Sequence, residues 1–522
     1  MPPDLSDRPL SSRPRRPPRL SLGSLVDVVG GALVGGPGRA DAAAVQVSGV
    51  TLDSRRVEPG DLYAALPGAS VHGADFATAA VAVGAAAVLT DANGRARVTA
   101  DVPVWVVDTP RGVLGVVAAE VYGRPAERLR TIGVTGTHGK TTSCFMIEAG
   151  LVGAGQTPAV VGTVGTRVAG EYVKTALTTP EAPDLHALFA VMEERGVDAC
   201  AMEVSSHALV MGRVDGVVFD VAVFTNLGRD HLDFHTDEED YFAAKAALFT
   251  PARAARGLVN VDDPYGRRLL EQADISMATF SPSGAPADWR AEDIVATADG
   301  STFVVVAPDG SRHLVRLAVP GRFNVANALA SVAALGECGV PISLVAQGMS
   351  SLTGVPGRME RIASDLGFTV VVDYAHKPDA VQAVLAALRP VTAGRLITVI
   401  GAGGDRDRGK RPMMGQVAAR LSDLLVVTDD NPRTEDPTAI RAAVVEGTTT
   451  VPEAERAEVV EVGDRRTAIE TALTKAAPGD CVLVAGKGHE QGQEVAGVVH
   501  PFDDREVVRA VLSGLAGAGS DR

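Results

Sequence analysis

The chain lacks any run of apolar residues long enough to cross a bilayer, and its four cysteines show no pairing pattern. Cys144, Cys200, Cys338 and Cys481 are scattered through apolar segments without CxxC spacing, which excludes a disulfide framework or zinc ribbon and fits reduced thiols in the cytoplasm. Aromatic residues make up only 4% of the sequence, so the core must be built from aliphatic side chains. Positive charge is in deficit too, with Lys+Arg 49 against Asp+Glu 64 and a formal net charge of −15. That balance argues against nucleic acid or an anionic membrane surface as a partner, and any anionic ligand must be met by a local site. The first twenty residues carry five Arg and several Pro but no apolar run, so they are neither a signal peptide nor a membrane span; a disordered tail is predicted over 1–20.

What is present points to an α/β protein. At 522 residues the chain exceeds one ordinary core, and its Val- and Ala-rich runs are broken by 56 Gly. Three domains are predicted: a smaller N-terminal α/β unit over 21–128, a central unit over 129–356 and a C-terminal, Rossmann-like unit over 357–522. Strands are expected at Thr131–Val134, Asp198–Val204, Phe219–Phe224 and Gly257–Val261, then at Thr369–Val372, Leu396–Ile400, Leu424–Val427 and Cys481–Val484. A helix is expected from Thr142 to Ala154. No short-period repeat is present.

The strongest local signal is Gly136-Thr137-His138-Gly139-Lys140-Thr141-Thr142, set between a strand and a helix. Backbone N–H groups there can cradle phosphates, Lys140 can reach the β- and γ-phosphates, and the Thr141 hydroxyl can bind Mg²⁺. Val134 stands where a strict GxxxxGK[ST] loop has its first glycine. Glu203 and His231 each follow an apolar strand; either alone reads as an ordinary loop residue, but beside a phosphate loop they offer the carboxylate and imidazole that a nucleotide-bound divalent cation needs. Lys245 lies in an otherwise apolar helical stretch, where the default reading is a lysine whose stem lies along the surface with its head in water. Asp53-Ser54-Arg55 and Thr178-Thr179-Pro180-Glu181 read first as turn and cap residues.

Taken in order, these motifs resemble the Mur ligase family. The likeness is carried by Thr135 to Thr142, Thr178 to Pro180, Glu203 to His207, Asn226 to His235, the Lys245 helix, Asn324 to Asn327, Asp373 to His376 and Gly486 to Glu490. Asp430-Asn431-Pro432-Arg433 is similar to the motif of the members that add diaminopimelate, and Asp53-Ser54-Arg55 with Pro59 to Leu62 resembles their UDP-sugar region. The resemblance implies a central phosphate-loop ATPase domain flanked by a UDP-substrate domain and an amino-acid domain. It implies a cytoplasmic, monomeric, ATP- and Mg²⁺-dependent ligase of peptidoglycan synthesis that joins diaminopimelate to UDP-N-acetylmuramoyl-L-alanyl-D-glutamate through an acyl phosphate.

By the same resemblance, residues Gly136 to Thr142 with Asn327, Arg358 and Asp373 would hold ATP, and Thr141, Glu203, His231 and an N-carboxylated Lys245 would hold Mg²⁺. Lys140, His231 and Lys245 would be the catalytic groups. Leu52, Ser54, Ser70, Thr178, Thr179, Ser205 and Arg213 would bind the UDP-dipeptide. Arg406, Asp430, Asn431, Pro432, Arg433, Gly486 and Glu490 would bind diaminopimelate. The chain departs from the family at Leu177, Met211 and Ala69 to Val71, where relatives carry polar contacts to the nucleotide sugar. Readings that stay open are a lysine-adding Mur ligase, a folylpolyglutamate synthetase-like ligase, and a phosphate-loop ATPase or regulatory module that makes no amide bond.

Overall fold

A computed structural model describes residues 11–35, 39–231, 233–297 and 300–520. Three β-sheets with helices on their faces account for most of it. The N-terminal sheet runs in the order Ala32–Val34, Val104–Val106, Ala87–Thr90, Asp61–Ala64, Gly49–Thr51, parallel except for the first pair.

The central sheet has eleven strands. Seven form a parallel block, from Pro158–Gly162 through Ala199–Glu203, Arg130–Thr135, Val221–Phe224, Arg256–Asn260 and Ser276–Ser281 to Trp289–Thr297. Two antiparallel strands extend it at each edge: Gly165–Val168 and Glu171–Val173 on one side, Gly300–Val306 and Arg312–Leu317 on the other. The inner strands of the block are apolar on both faces because helices cover both. Ile132, Val134 and Ala201 pack to one side, and Cys200, Met202 and Phe224 to the other.

The C-terminal sheet has six strands, in the order Glu360–Ile362, Thr369–Asp373, Cys481–Ala485, Leu396–Ile400, Leu424–Val427, Glu458–Glu461, parallel except for the first pair. The helix expected from Thr142 begins two residues earlier, at Lys140, because Gly139 in a left-handed conformation turns the chain straight into it.

Two cores meet at the first junction. Ala187 and Ala190 of the central helix Ala182–Glu194 belong to the same apolar cluster as Leu62, Trp105 and Val117 of the N-terminal unit. Gly115 and Gly216 allow that approach, since a Cβ on Gly115 would sit 2.2 Å from the Asp215 carbonyl oxygen. The predicted tail also needs correcting. Residues 1–10 lie outside the described residues, but 11–19 run across the protein instead of hanging free, and Leu20–Ser21 pairs with Gln46–Val47. The Arg13 guanidinium holds both Asp61 carboxylate oxygens, at 2.9 and 2.8 Å.

Candidate active site

Arg130–Thr135 lies between Ala199–Glu203 and Val221–Phe224, so the loops leaving these three strands converge at their carboxyl ends. Open parallel sheets bind ligands there. Gly136 and Gly139 take φ of 141° and 87°. A Cβ would lie 1.9 Å from Thr225 Oγ1 at the first and 2.2 Å from Asn327 Oδ1 at the second, so only glycine fits at either. The helix Lys140–Gly153 opens directly from this loop, and its first-turn N–H groups have no intrahelical acceptors.

Two lysines share one carbonyl. Lys140 Nζ donates to Gly136 O at 2.8 Å and Thr137 O at 3.0 Å, and Lys245 Nζ donates to Gly136 O at 2.9 Å. Burial draws Lys140 down to about 8, with Glu203 opposing. Burial and then the neighbouring Lys140 charge hold Lys245 well below the usual lysine range. Lys245 is therefore no surface lysine: it is 1% exposed, above the face of Tyr241 at 4.5 Å from the ring centre.

Thr141 Oγ1 donates to Glu203 Oε1 at 2.9 Å, and the same carboxylate accepts from Thr163 N at 2.8 Å and Thr163 Oγ1 at 3.2 Å. Thr178 bonds Thr163, while Thr179 Oγ1 donates to Glu203 O at 2.7 Å. Ser205 caps the helix Ser206–Val210. Arg213 Nε meets Glu181 at 2.9 Å, and Arg111 takes the other oxygen of that carboxylate at 3.2 Å. Thr178, Thr179, Ser205 and Arg213 thus stand at one end of a cleft of about 770 Å³ whose other walls include the phosphate loop, Glu203, His231 and Lys245. Leu52, Ser54 and Ser70 do not line it; they sit on the N-terminal unit, Leu52 against its core and Ser70 exposed.

The C-terminal unit closes the cleft through side chains that reach across. Arg358 stacks over Tyr374 at 4.4 Å and donates to Thr141 Oγ1 at 3.3 Å. His138 Nε2 lies 2.6 Å from Asp379 Oδ2. Asp373 accepts from Met359 N and Ala375 N at 2.7 Å each, so it fixes its own loop, and Asn327 donates to Asn324 at 3.2 Å. One bridge escaped the sequence reading. Lys377 Nζ bonds Asp230, whose carboxylate also lies 3.0 Å from His231 Nε2. Burial opposes ionisation of Asp230, but His231 and Lys377 outweigh it and hold the carboxyl far below its ordinary value. The signal was available: Lys377 directly follows the Asp373-to-His376 motif, and Asp230 precedes His231.

A second cleft of about 670 Å³ shares His231, Asp230 and Lys377 with the first and continues into the C-terminal unit. Arg406, Asp430, Asn431, Arg433, Gly486 and Glu490 all line it, from loops after three parallel strands. Pro432, the seventh candidate, does not line it: it is buried behind Asn431 and Arg433, and a Cβ on Gly404 would fall 1.9 Å from its carbonyl oxygen. Asn431 donates to Glu490 at 2.9 Å and accepts from the buried Lys487 at 2.9 Å. Asp430 Oδ1 is buried without a hydrogen-bond partner, with Lys487 Nζ 3.6 Å away. Arg433 has φ of 53°, pairs its backbone with Val495 in the hairpin Gly492–Val495/Val498–Pro501, and places its guanidinium 3.3 Å from Glu494 and 2.7 Å from Gly404 O. The nearby Glu435 is occupied by Arg411 instead. Lys487 and Glu494 were not singled out from sequence, although Lys487 lies inside the Gly486-to-Glu490 motif.

Among the described residues no group of three or more His, Cys, Asp or Glu side chains is gathered as a metal site. The Thr141–Glu203 pair nevertheless suits Mg²⁺, which usually takes one or two carboxylates and completes its shell with substrate phosphates and water.

Three stretches match known family domains: residues 46–122 the Mur ligase family catalytic domain, 134–335 the Mur ligase middle domain, and 357–488 the Mur ligase glutamate ligase domain. A relative from Streptomyces avermitilis named UDP-N-acetylmuramoyl-L-alanyl-D-glutamate--2,6-diaminopimelate ligase is 54% identical over 97% of this chain and 99% of its own length. The chain belongs to the Mur ligase family. A Corynebacterium glutamicum relative of the same name is 50% identical over 95% of this Mur ligase and 97% of its own length. A solved structure also described as this diaminopimelate ligase aligns with a TM-score of 0.68 at 33% identity, covering 96% of this chain and all 100% of that one.

Proposed function

We propose that this Mur ligase joins diaminopimelate to UDP-N-acetylmuramoyl-L-alanyl-D-glutamate at the expense of ATP, as a cytoplasmic monomer in peptidoglycan precursor synthesis. The observation that carries the reading is the second cleft: six of the seven diaminopimelate candidates line one space, and that space adjoins the cleft of the phosphate loop. The names of the most similar relatives agree with it.

A carboxylate is a poor electrophile and must first be activated. The γ-phosphate of ATP passes to the side-chain carboxylate of the D-glutamyl residue, and the amine of diaminopimelate then displaces phosphate from the acyl phosphate. Gly136 to Thr142 cradle the nucleotide phosphates, while Lys140 offsets charge on the transferring group. Asn327, Arg358 and Asp373 shape the nucleotide end. Mg²⁺ would be held by Thr141, Glu203, His231 and a carboxylated Lys245, and when bound it supplies charge neutralisation at the phosphates. Lys245 suits carboxylation because a buried amine held below its usual pKa is available in the neutral form that attacks CO₂, giving a carbamate and a proton. The change turns a cation that would repel Mg²⁺ into an oxygen donor.

Thr178, Thr179, Ser205 and Arg213 bind the dipeptide end of the UDP substrate, with Leu52, Ser54 and Ser70 contributing from the N-terminal unit. Arg433 grips the second carboxylate of diaminopimelate, Asp430 and Glu490 receive the ammonium group beside it and leave the other amine free to attack, and Arg406, Asn431, Pro432 and Gly486 complete the site. The test is a panel of amino acids and UDP-precursors given to the purified enzyme, with phosphate release and product mass recorded. ATP turnover should require both the UDP-dipeptide and diaminopimelate. Turnover with lysine in its place, or without any amino acid, would refute the proposal.

A further inference from the structure

The arginine- and proline-rich segment is not accounted for by the ligase reaction, yet it makes some of the most specific contacts at the first junction. Residues 14–18 contain three prolines, which have no N–H, and two arginines. Both available N–H groups go to one acceptor: Arg15 N donates to Glu194 Oε2 at 3.0 Å and Arg16 N to Glu194 Oε1 at 2.9 Å. Glu194 is the last residue of the central helix Ala182–Glu194. On one side of this double bond, Arg13 is anchored in the N-terminal unit. Its guanidinium takes both oxygens of Asp61, whose side chain is 3% exposed, and its other nitrogen donates to Arg56 O at 3.3 Å. On the other side, a Cβ on Gly123 would sit 3.4 Å from the Pro18 ring, at the end of the helix Pro110–Val121.

One of these contacts adjoins a proposed UDP-substrate residue, Ser54, and another reaches the far end of the helix that follows Thr178 and Thr179. Arg56, whose carbonyl Arg13 holds, ends the short helix Ser54–Arg56 and reaches across to Asp184 at 2.9 Å. Asp184 lies in the first turn of the helix that Glu194 ends, and that helix begins next to Glu181, the partner of Arg213. The segment therefore ties together, from outside the cleft, the Ser54 loop on one unit and the helix that follows Thr178 and Thr179 on the other. Proline fixes φ and removes conformations from the unbound chain, so a strap of this composition is stiff before it docks.

We propose that residues 11–19 form a strap that fixes the N-terminal unit on the central one and so sets the affinity for the UDP-linked substrate. Its effect on that substrate rests on the reading of the UDP site given above; its effect on the junction does not. Arg13 and Glu194 act as positioning residues, since neither lines the cleft.

The experiment uses the full chain with Arg13→Ala, Glu194→Ala, the double variant and the conservative Glu194→Gln, read by steady-state kinetics and by hydrogen exchange without substrate. Each alanine variant should raise KM for the UDP-dipeptide about fivefold to tenfold, leaving kcat and the KM values for ATP and diaminopimelate within twofold. The double variant should be no worse than about either single one, because both break the same strap. Glu194→Gln, keeping one acceptor oxygen, should fall between wild type and Glu194→Ala. Amide exchange should rise at residues 54–57 and 182–188 in every alanine variant. Unchanged exchange would overturn the strap. Raised exchange with an unchanged KM, or equal rises in all three KM values, would overturn its link to the UDP substrate. Should wild-type enzyme not bind the UDP-dipeptide, the functional reading falls while hydrogen exchange still decides the strap.

Discussion

The two junctions of this ligase differ in what fills them: both carry polar bridges at their edges, but it is the second that encloses the two large clefts. Between the N-terminal and central units, backbones approach through Gly115 and Gly216 and side chains merge into one apolar cluster that includes Ala187 and Ala190. Between the central and C-terminal units Val319 and Phe323 join the C-terminal apolar cluster, but around the two large clefts the contacts are polar, with Lys377 on Asp230, His138 on Asp379 and Arg358 on Thr141. Apolar burial holds with or without a ligand, whereas polar bridges over a cavity respond to ions and to charged substrates. The packed junction is suited to presenting a substrate, and the hollow one to doing chemistry on it.

That division predicts which kinetic parameter each variant changes. The largest effect should come from the hollow side. Lys140→Ala and Lys245→Ala should lower the saturating rate by about a hundredfold to a thousandfold, as loss of a charge-stabilising group does. Calorimetric affinity for the UDP-dipeptide should stay near wild type, and a short carboxylic acid should partly restore Lys245→Ala. A variant that kept its rate and lost dipeptide affinity would reverse the division.

Arg433→Ala should come next. An unpaired carboxylate in a half-buried pocket costs on the order of 1–3 kcal/mol or more, so KM for diaminopimelate should rise tenfold to a hundredfold while those for ATP and the UDP-dipeptide hold. Preference for diaminopimelate over lysine should shrink equally, and an intact preference would remove Arg433 from that role.

Gly115→Val probes the packed side, where the added atoms meet the Asp215 carbonyl. Overpacking of this kind costs about 1–3 kcal/mol, so thermal unfolding should begin several degrees lower while kcat per folded molecule changes little. The smallest effect should be ionic. Raising salt from about 0.1 to 1 M shortens the screening length from about 10 to 3 Å and should loosen the hollow junction, visible as a larger radius in solution scattering. Lys377→Gln should remove most of that response, whereas Arg56→Gln on the packed side should leave it intact.

Sequence made the inner parallel strands easy to find because both of their faces are buried, so Leu396–Ile400, broken only by Thr398, and Leu424–Val427 read as apolar runs with the same ends as in the structure. Trp289–Thr297, Gly300–Val306 and Arg312–Leu317 were missed, since only one face of each is covered and polar residues alternate through them. The phosphate loop was legible because its glycines answer to local backbone geometry. The Lys377–Asp230 bridge was not read, because it spans 147 residues: each partner sits in or beside a recognised motif, but nothing local says that the two meet. The tail was misjudged for a related reason: proline and arginine are what disordered segments contain, and Asp61 and Glu194 become their partners only once the chain has folded.

Arg433, proposed above to set the choice of amino acid, is held by an unusual backbone. Its left-handed backbone, at φ of 53°, is clamped by Glu494 O and Ala496 N from a hairpin more than sixty residues downstream. A non-glycine residue rests in that conformation only when its surroundings enforce it. On that proposal, the choice of amino acid is not stored at one codon. An ancestral enzyme changing its wall chemistry by exchanging this side chain alone would inherit a strained backbone shaped for arginine, and a drifting hairpin could weaken the grip without touching the motif. Position 433 and the 492–501 hairpin should accordingly change together along the family's lineages, which makes the hairpin the second place to look when a sequence is assigned to one cell-wall type or another.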